Sequence, residues 1–76
     1  MRLDLVLKQT RIIKRRTIAK EVADAGKILV NGKVGKPSTE VNDDDVLELH
    51  LGQKIIKVKI TYTTQGKKEV PTFEEL

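Results

Sequence analysis

Lys8, Arg11, Lys14, Arg15 and Arg16 fall within nine consecutive residues of this chain. That density of cations points to anion binding. Arg11 and Arg15 stand four apart and share a face wherever the stretch is helical. Lys14, Arg15 and Arg16 come immediately before a helix predicted to begin at Thr17. A helix N-terminus already carries about half a positive charge, so cations placed there cost some stability. Together with free backbone N–H groups, arginine forks at such an end form a phosphate receptor. The competing reading pairs these cations with Glu21, Asp24 or the acidic 40–48 segment, as ordinary surface ion pairs of small worth.

Other chemistry finds little material. The chain has no cysteine, which removes a thiolate metal site and a Cys-His pair, and its one histidine, His50, lies on a predicted strand at the surface with no partners marked for a Ser-His-Asp set. No cofactor and no metal are expected, and the reading is non-enzymatic. Asp43-Asp44-Asp45 lacks the alternate oxygens, central glycine and terminal glutamate of a calcium loop and reads as a solvated turn. Gly32-Lys33-Val34-Gly35-Lys36-Pro37 imitates a phosphate loop, but Val30 stands where its first glycine belongs and Pro37 where its hydroxyl belongs. The G-x-x-G of residues 32–35 lies on a strand turn, not between the two helices of a KH domain.

The length of 76 residues allows one small domain, and the net charge of +4 favours an acidic partner. That charge is unevenly spread. Residues 1–36 carry ten basic and three acidic side chains, residues 37–53 carry five acids and no Lys or Arg, and residues 54–76 carry five bases and three acids. Such segregation describes a module with a binding face. Tyr62 and Phe73 are the only aromatics, too few to stack a single strand, so structured RNA read by shape and phosphate contacts is the expected target. The apolar runs are too short for a membrane span, and Met1-Arg2-Leu3-Asp4 opens no signal-peptide apolar region, so a cytoplasmic location is expected.

The elements that must position the cations are short. Leu3, Val6 and Leu7 share a helical face, giving a helix over about 3–9 with Asp4 in its favourable first turn. Thr17 to Ala25 gives a second helix, with Thr17 as N-cap and Gly26 as the left-handed residue after its end. Its Ile18, Val22 and Ala25 form one stripe, and Ala19 with Ala23 lies beside it, small enough for close packing on the first helix. The period then changes to two. Lys27–Val30 and Lys33–Gly35 flank an Asn31-Gly32 tight turn, which reads as structural rather than base-reading. Val46–Leu51 follows with Leu47, Leu49 and Leu51 on one face. Ile55–Tyr62 is a last strand with Ile56, Val58, Ile60 and Tyr62 on one face. Residues 63–76 read as a short, weakly ordered tail from which Phe73 and Leu76 could dock back. Helices followed by strands define an α+β domain: two short helices packed on a small, mainly antiparallel sheet of three to four strands.

Arg2-Leu3-Asp4, Leu7, Arg11, Lys14, Arg16-Thr17, Ala19, Gly26 and Asn31-Gly32 together resemble the S4 RNA-binding domain, also called the αL motif. The resemblance covers about residues 1–60. Lys36-Pro37-Ser38 is similar to the extension seen in stand-alone members of the heat-shock S4 group, whose longer basic C-terminal extension this chain lacks. Asp43-Asp44-Asp45 replaces a frequent Pro-Gly-Asp turn of the family. The resemblance is strongest to small stand-alone members of bacterial ribosome-associated quality control. It implies a domain over residues 1–62 that binds 23S rRNA and peptidyl-tRNA on stalled large ribosomal subunits. It further implies assistance to an RqcH-like tailing factor in C-terminal tailing of the nascent chain. RNA contacts are expected at Arg2, Lys8, Arg11, Lys14, Arg15, Arg16, Lys27 and Lys33, by a monomer. A general ribosome-binding protein of the heat-shock type, or a protein-interaction module built on the acidic segment and Phe73, are the alternatives.

Overall fold

A computed structural model describes all of residues 1–76. Two helices, α1 (Leu3–Gln9) and α2 (Arg16–Asp24), precede five strands: β1 (Ile28–Val30), β2 (Lys33–Val34), β3 (Val46–Leu51), β4 (Lys54–Gln65) and β5 (Lys68–Glu75). The strands form one antiparallel sheet in the order β2-β1-β3-β4-β5. The α+β architecture is as expected, with one strand more than the three to four anticipated.

Alternation sets the sheet register. Leu47 and Leu49 of β3 stand opposite Val58 and Ile56 of β4, and all four point to the helices. Leu3, Val6 and Leu7 of α1 are fully buried on that layer, as their spacing predicts. From α2 the buried residues are Ala19 and Ala23, whose small side chains let the two helices approach closely. Of the Ile18-Val22-Ala25 stripe only Val22 packs against the core, partly buried, while Ile18 remains 43% exposed and Ala25 is exposed. A helix this narrow presents only one face to its neighbours, and the alanine face allows the tighter packing.

Turn chemistry fixes the connections. Asn31 and Gly32 both have positive φ (51° and 84°), the geometry of the tight hairpin turn. The Asn31 amide also donates to Asp45 Oδ1 (3.0 Å) and accepts from the Val46 N–H (3.0 Å), so it staples the β1–β2 turn to β3. Each residue of the aspartate triplet holds the chain. Asp45 Oδ2 accepts from the Asn42 N–H, Asp43 Oδ1 accepts from the Tyr62 N–H, and Asp44 takes φ 67°, a left-handed value that glycine adopts more easily.

Residues 63–76 depart from the expected tail. Thr63 to Gln65 extend β4, and Lys68–Glu75 pair with it as β5. Ile60 faces Phe73, Tyr62 faces the buried Pro71, and the Thr72 hydroxyl donates to the Thr61 carbonyl (2.9 Å). Thr63-Thr64-Gln65 has no apolar alternation, so nothing local marked it as strand. The order comes from pairing across the Gly66 turn. Pro71 is tolerated because β5 is an edge strand.

Gly35 sits where α1 presses on the β1–β2 hairpin. A methyl group there would lie 2.9 Å from Val30 Cγ2 and 3.0 Å from Leu3 Cδ2. Gly35→Ala should therefore lower stability in urea denaturation by about 1–3 kcal/mol, the usual scale of overpacking. Tyr62 gives a pH signature. Burial, reinforced by the carboxylates of Glu40, Glu69, Asp45 and Asp43, pushes its phenol up from 10.0 to about 12. Its hydroxyl donates to the Val41 carbonyl at 2.6 Å. In the unfolded chain the phenol ionises near pH 10, so between about pH 10 and 12 only the unfolded state has lost the proton. Tyr62 thus contributes stability that is present below pH 10 and lost as pH rises to 12. The phenolate absorbance of this single tyrosine should appear near pH 12 when folded, and Tyr62→Phe should flatten the alkaline loss of stability.

Candidate nucleic-acid interface

The interface begins with how α1 is seated. Its first N–H groups, of Leu3 and Asp4, donate to the carbonyls of Thr39 (2.8 Å) and Pro37 (3.2 Å). The Met1 ammonium donates to Glu40 (2.6 Å), and Arg2 forms an isolated bridge with Glu40. The 36–41 loop therefore fixes the start of the chain and, with it, Arg2 and Asp4.

Asp4 is the buried carboxylate of the domain, its side chain only 3% exposed. Its Oδ2 accepts from Arg16 Nε (3.3 Å) and from Arg2 Nη2 (3.5 Å), and its Oδ1 lies 3.4 Å from Arg2 Nε. Both arginines are about half exposed. The carboxylate thus holds Arg16 by Nε and leaves its terminal nitrogens facing outward. Arg2, Asp4, Arg16, Thr17 and Lys20 line an open depression there.

The α2 N-terminus completes this depression. The expected N-cap, Thr17, is in fact inside the helix: α2 starts at Arg16 behind Arg15, whose extended backbone (φ −115°) offers no side-chain cap. The first-turn N–H groups remain uncapped because neither Arg15 nor Arg16 carries a side-chain acceptor. No acidic side chain offsets them within that turn.

A second depression is lined by Lys8, Arg11 and Lys14 alone. The chain between the helices is not helical, so Arg11 and Arg15 do not share a helical face. Thr10 caps α1, its hydroxyl donating to the Val6 carbonyl (2.7 Å), and Arg11 follows with φ 64°. That left-handed position ends the helix, reverses the chain and turns Arg11 toward Lys8 and Lys14. Holding an arginine there costs about 1–2 kcal/mol relative to a residue at ease in this conformation.

Of the eight expected contact residues, the structure gathers Arg2 with Arg16, and Lys8 with Arg11 and Lys14. Arg15, Lys27 and Lys33 line neither depression. The competing ion-pair reading fails for most of them: Arg2 and Arg16 pair with Asp4, and no carboxylate lies within 4.0 Å of the other six. Sequence reasoning missed Lys20, although it stands four residues after Arg16 on the same face. It also assigned Asp4 to the helix dipole alone.

A model of the S4 domain matches residues 1–47. The chain belongs to the S4 domain family. The RQC P-site tRNA stabilizing factor of Halalkalibacterium halodurans is 49% identical over 78 residues, spanning all of this chain and 89% of that protein. The protein of the same name from Bacillus subtilis is 52% identical over 60 residues, 79% of this chain and 70% of its own. Among solved structures, the trimeric Heat Shock Protein 15 of Vibrio cholerae superposes with a TM-score of 0.81 at 26% identity, covering all of this chain and 81% of that one. The chain thus shares its fold with the heat-shock protein and about half of its aligned residues with these two stabilizing factors.

Asp4→Asn tests the clamp. The substitution keeps the shape, removes one negative charge and should lower stability by about 1–3 kcal/mol, the cost of loosening buried charged hydrogen bonds. It also raises the net charge, so long-range attraction alone would tighten RNA binding. If Asp4 acts by holding Arg2 and Arg16, RNA affinity measured by fluorescence anisotropy should fall instead.

Proposed function

We propose that this S4 domain is an RNA-binding factor of ribosome-associated quality control that stabilises P-site tRNA, as the name of its relatives says of them. It acts by binding, as a monomer, without catalysis. The observation that carries this reading is the Asp4-held pair of arginines beside the uncapped start of α2. Two fixed guanidinium groups, Lys20 and free N–H groups converge on one open surface, and a phosphate meets that set of donors with little reorganisation.

The finer reading is that the domain contacts both 23S rRNA and peptidyl-tRNA on stalled large subunits. Two separated cationic depressions suit two backbone segments better than one. The Arg2–Arg16 depression grips one phosphate run, and Lys8, Arg11 and Lys14 steer and hold another. By keeping peptidyl-tRNA in place, the domain supports an RqcH-like tailing factor as it extends the nascent chain. Its site of action is the cytoplasm, where such subunits are found.

Arg16→Gln is the informative variant, because Arg16→Glu would set a second carboxylate against buried Asp4. Co-sedimentation of the folded variant with large subunits carrying peptidyl-tRNA should weaken about tenfold or more, the scale of a lost charged hydrogen bond. Wild-type affinity should fall steeply with salt, with a log–log slope of about −0.7 to −0.9 per phosphate neutralised. Unchanged co-sedimentation of Arg16→Gln would place the RNA elsewhere.

A further inference from the structure

Ile18 and Ala25 of α2 stay outside the core, and Val22 between them is only partly buried against it. Successive residues of a helix turn by about 100°. On that geometry Ile18, Val22 and Ala25 form one stripe; of the residues lining the arginine depression, Arg16 and Lys20 lie about 160° around the helix from Ile18 and Thr17 about 100°. Ala19 and Ala23, facing α1 and the sheet, lie between the two. Ile18 is 43% exposed, Ala25 is exposed, and Val22 is partly so. At the C-terminal end the stripe continues onto the β1–β2 hairpin. A Cβ built on Gly26 would stand 3.9 Å from Cγ1 of Val34, itself 61% exposed.

A surface that binds RNA through Arg2, Arg16 and Lys20 therefore leaves these aliphatic side chains uncovered on the other side of α2. Phosphates offer them nothing, whereas an aliphatic ridge on a protein would bury them. The rim indicates what kind of ridge. Arg15 borders the stripe near its start, and Lys27 and Lys33 adjoin Gly26 and Val34 in the chain. None of these three has a carboxylate within ion-pair distance in the domain. Glu21 is the one acid beside the stripe. Lys33 and Val34 are consecutive on β2 and point to opposite faces, so the rim is Arg15 and Lys27 against Glu21.

The geometry points to a protein docking surface: Ile18, Val22, Ala25 and Val34 receive a short amphipathic helix of a protein partner, with aliphatic residues on its contacting face and Asp or Glu along its edge to meet Arg15 and Lys27. This rests on the reading that the opposite side of α2 holds RNA. The domain then works as an adaptor, one side of α2 on nucleic acid and the other on protein.

The test uses two targets for the full chain: deproteinised tRNA and large-subunit rRNA, and intact large subunits carrying peptidyl-tRNA. Ile18→Ser and Val34→Ser change exposed side chains, so both variants should keep their thermal transitions. Each should bind intact subunits about tenfold more weakly, the scale of losing one buried aliphatic contact, while binding naked RNA within about twofold of wild type. A photo-crosslinking residue at position 18, irradiated in the purified complex, should attach to a peptide whose sequence alternates aliphatic and acidic residues at helical spacing. Wild-type binding of both variants to intact subunits would overturn the proposal. So would an equal loss on naked RNA, or a crosslink to RNA or to a second copy of the chain. Failure of the wild-type protein to bind naked RNA would instead sink the reading on which it rests.

Discussion

One buried carboxylate organises the cationic face. Asp4 lies at the start of α1, and Arg16 begins α2, twelve residues away in the chain. Their contact, joined by Arg2, ties the two helices together at the end where both present polar groups outward. A buried charge is tolerated only when paired, so Asp4 demands these partners. The arginines, half in solvent, turn Nε of Arg16 and Nε and Nη2 of Arg2 toward Asp4 and keep the remaining nitrogens free. The same ion contact therefore serves the fold and prepares the donors. Removing an arginine would leave Asp4 under-partnered, which makes stability and binding partly inseparable at this site.

The remaining structure can be understood as support for that contact. Carbonyls of the 36–41 loop satisfy the first N–H groups of α1 and set its angle of entry. That loop is held because Val41 is buried and donates its N–H to the Met1 carbonyl. The Asn31 amide and the aspartate triplet lock the hairpin and the strand entry behind it. Gly35 lets α1 come close enough for Leu3 to fill the space over the hairpin. A helix of seven residues has little stability of its own, so its position is set by these contacts rather than by propensity.

Much of this was legible in the residues themselves, for identifiable reasons. Leu3, Val6 and Leu7 at helical spacing, Leu47 and Leu49 at strand spacing, and Asn31-Gly32 between them are local signals, and each element stands where they place it. The core face of α2 was less legible, because its helix carries two apolar stripes and composition alone does not say which one is covered. The small side chains of Ala19 and Ala23 signalled close packing on α1, as found, but nothing local showed that Ile18 would stay 43% exposed while Val22 packs partly against the core. The last strand was illegible for a different cause. Its order comes from cross-strand pairing over Gly66, and Thr63-Thr64-Gln65 carries no alternation to announce it. At the site, clustering of the cations along the chain was visible, but their division into two depressions was not. That division depends on Arg11 taking a left-handed backbone, which bends the chain between the helices.

The acidic residues have a part in this arrangement as a boundary. Glu40 adjoins both Met1 and Arg2, and the carboxylates of Glu40, Asp43, Asp45 and Glu69 all act on Tyr62. Burial is the larger cause of the raised phenol, and these carboxylates add to it, so their negative charge gathers around one region of the surface. A polyanion reaching Arg2 from that side would meet repulsion, whereas one arriving across α2 and the α1–α2 turn meets Lys20, Arg16, Arg11 and Lys14. Like-charge contact of this kind suppresses wrong poses more strongly than attraction selects right ones. The segregated charge of the chain therefore does more than attract RNA. It restricts the direction of approach, and a domain with so small a surface has few other means of fixing its orientation on a polyanion.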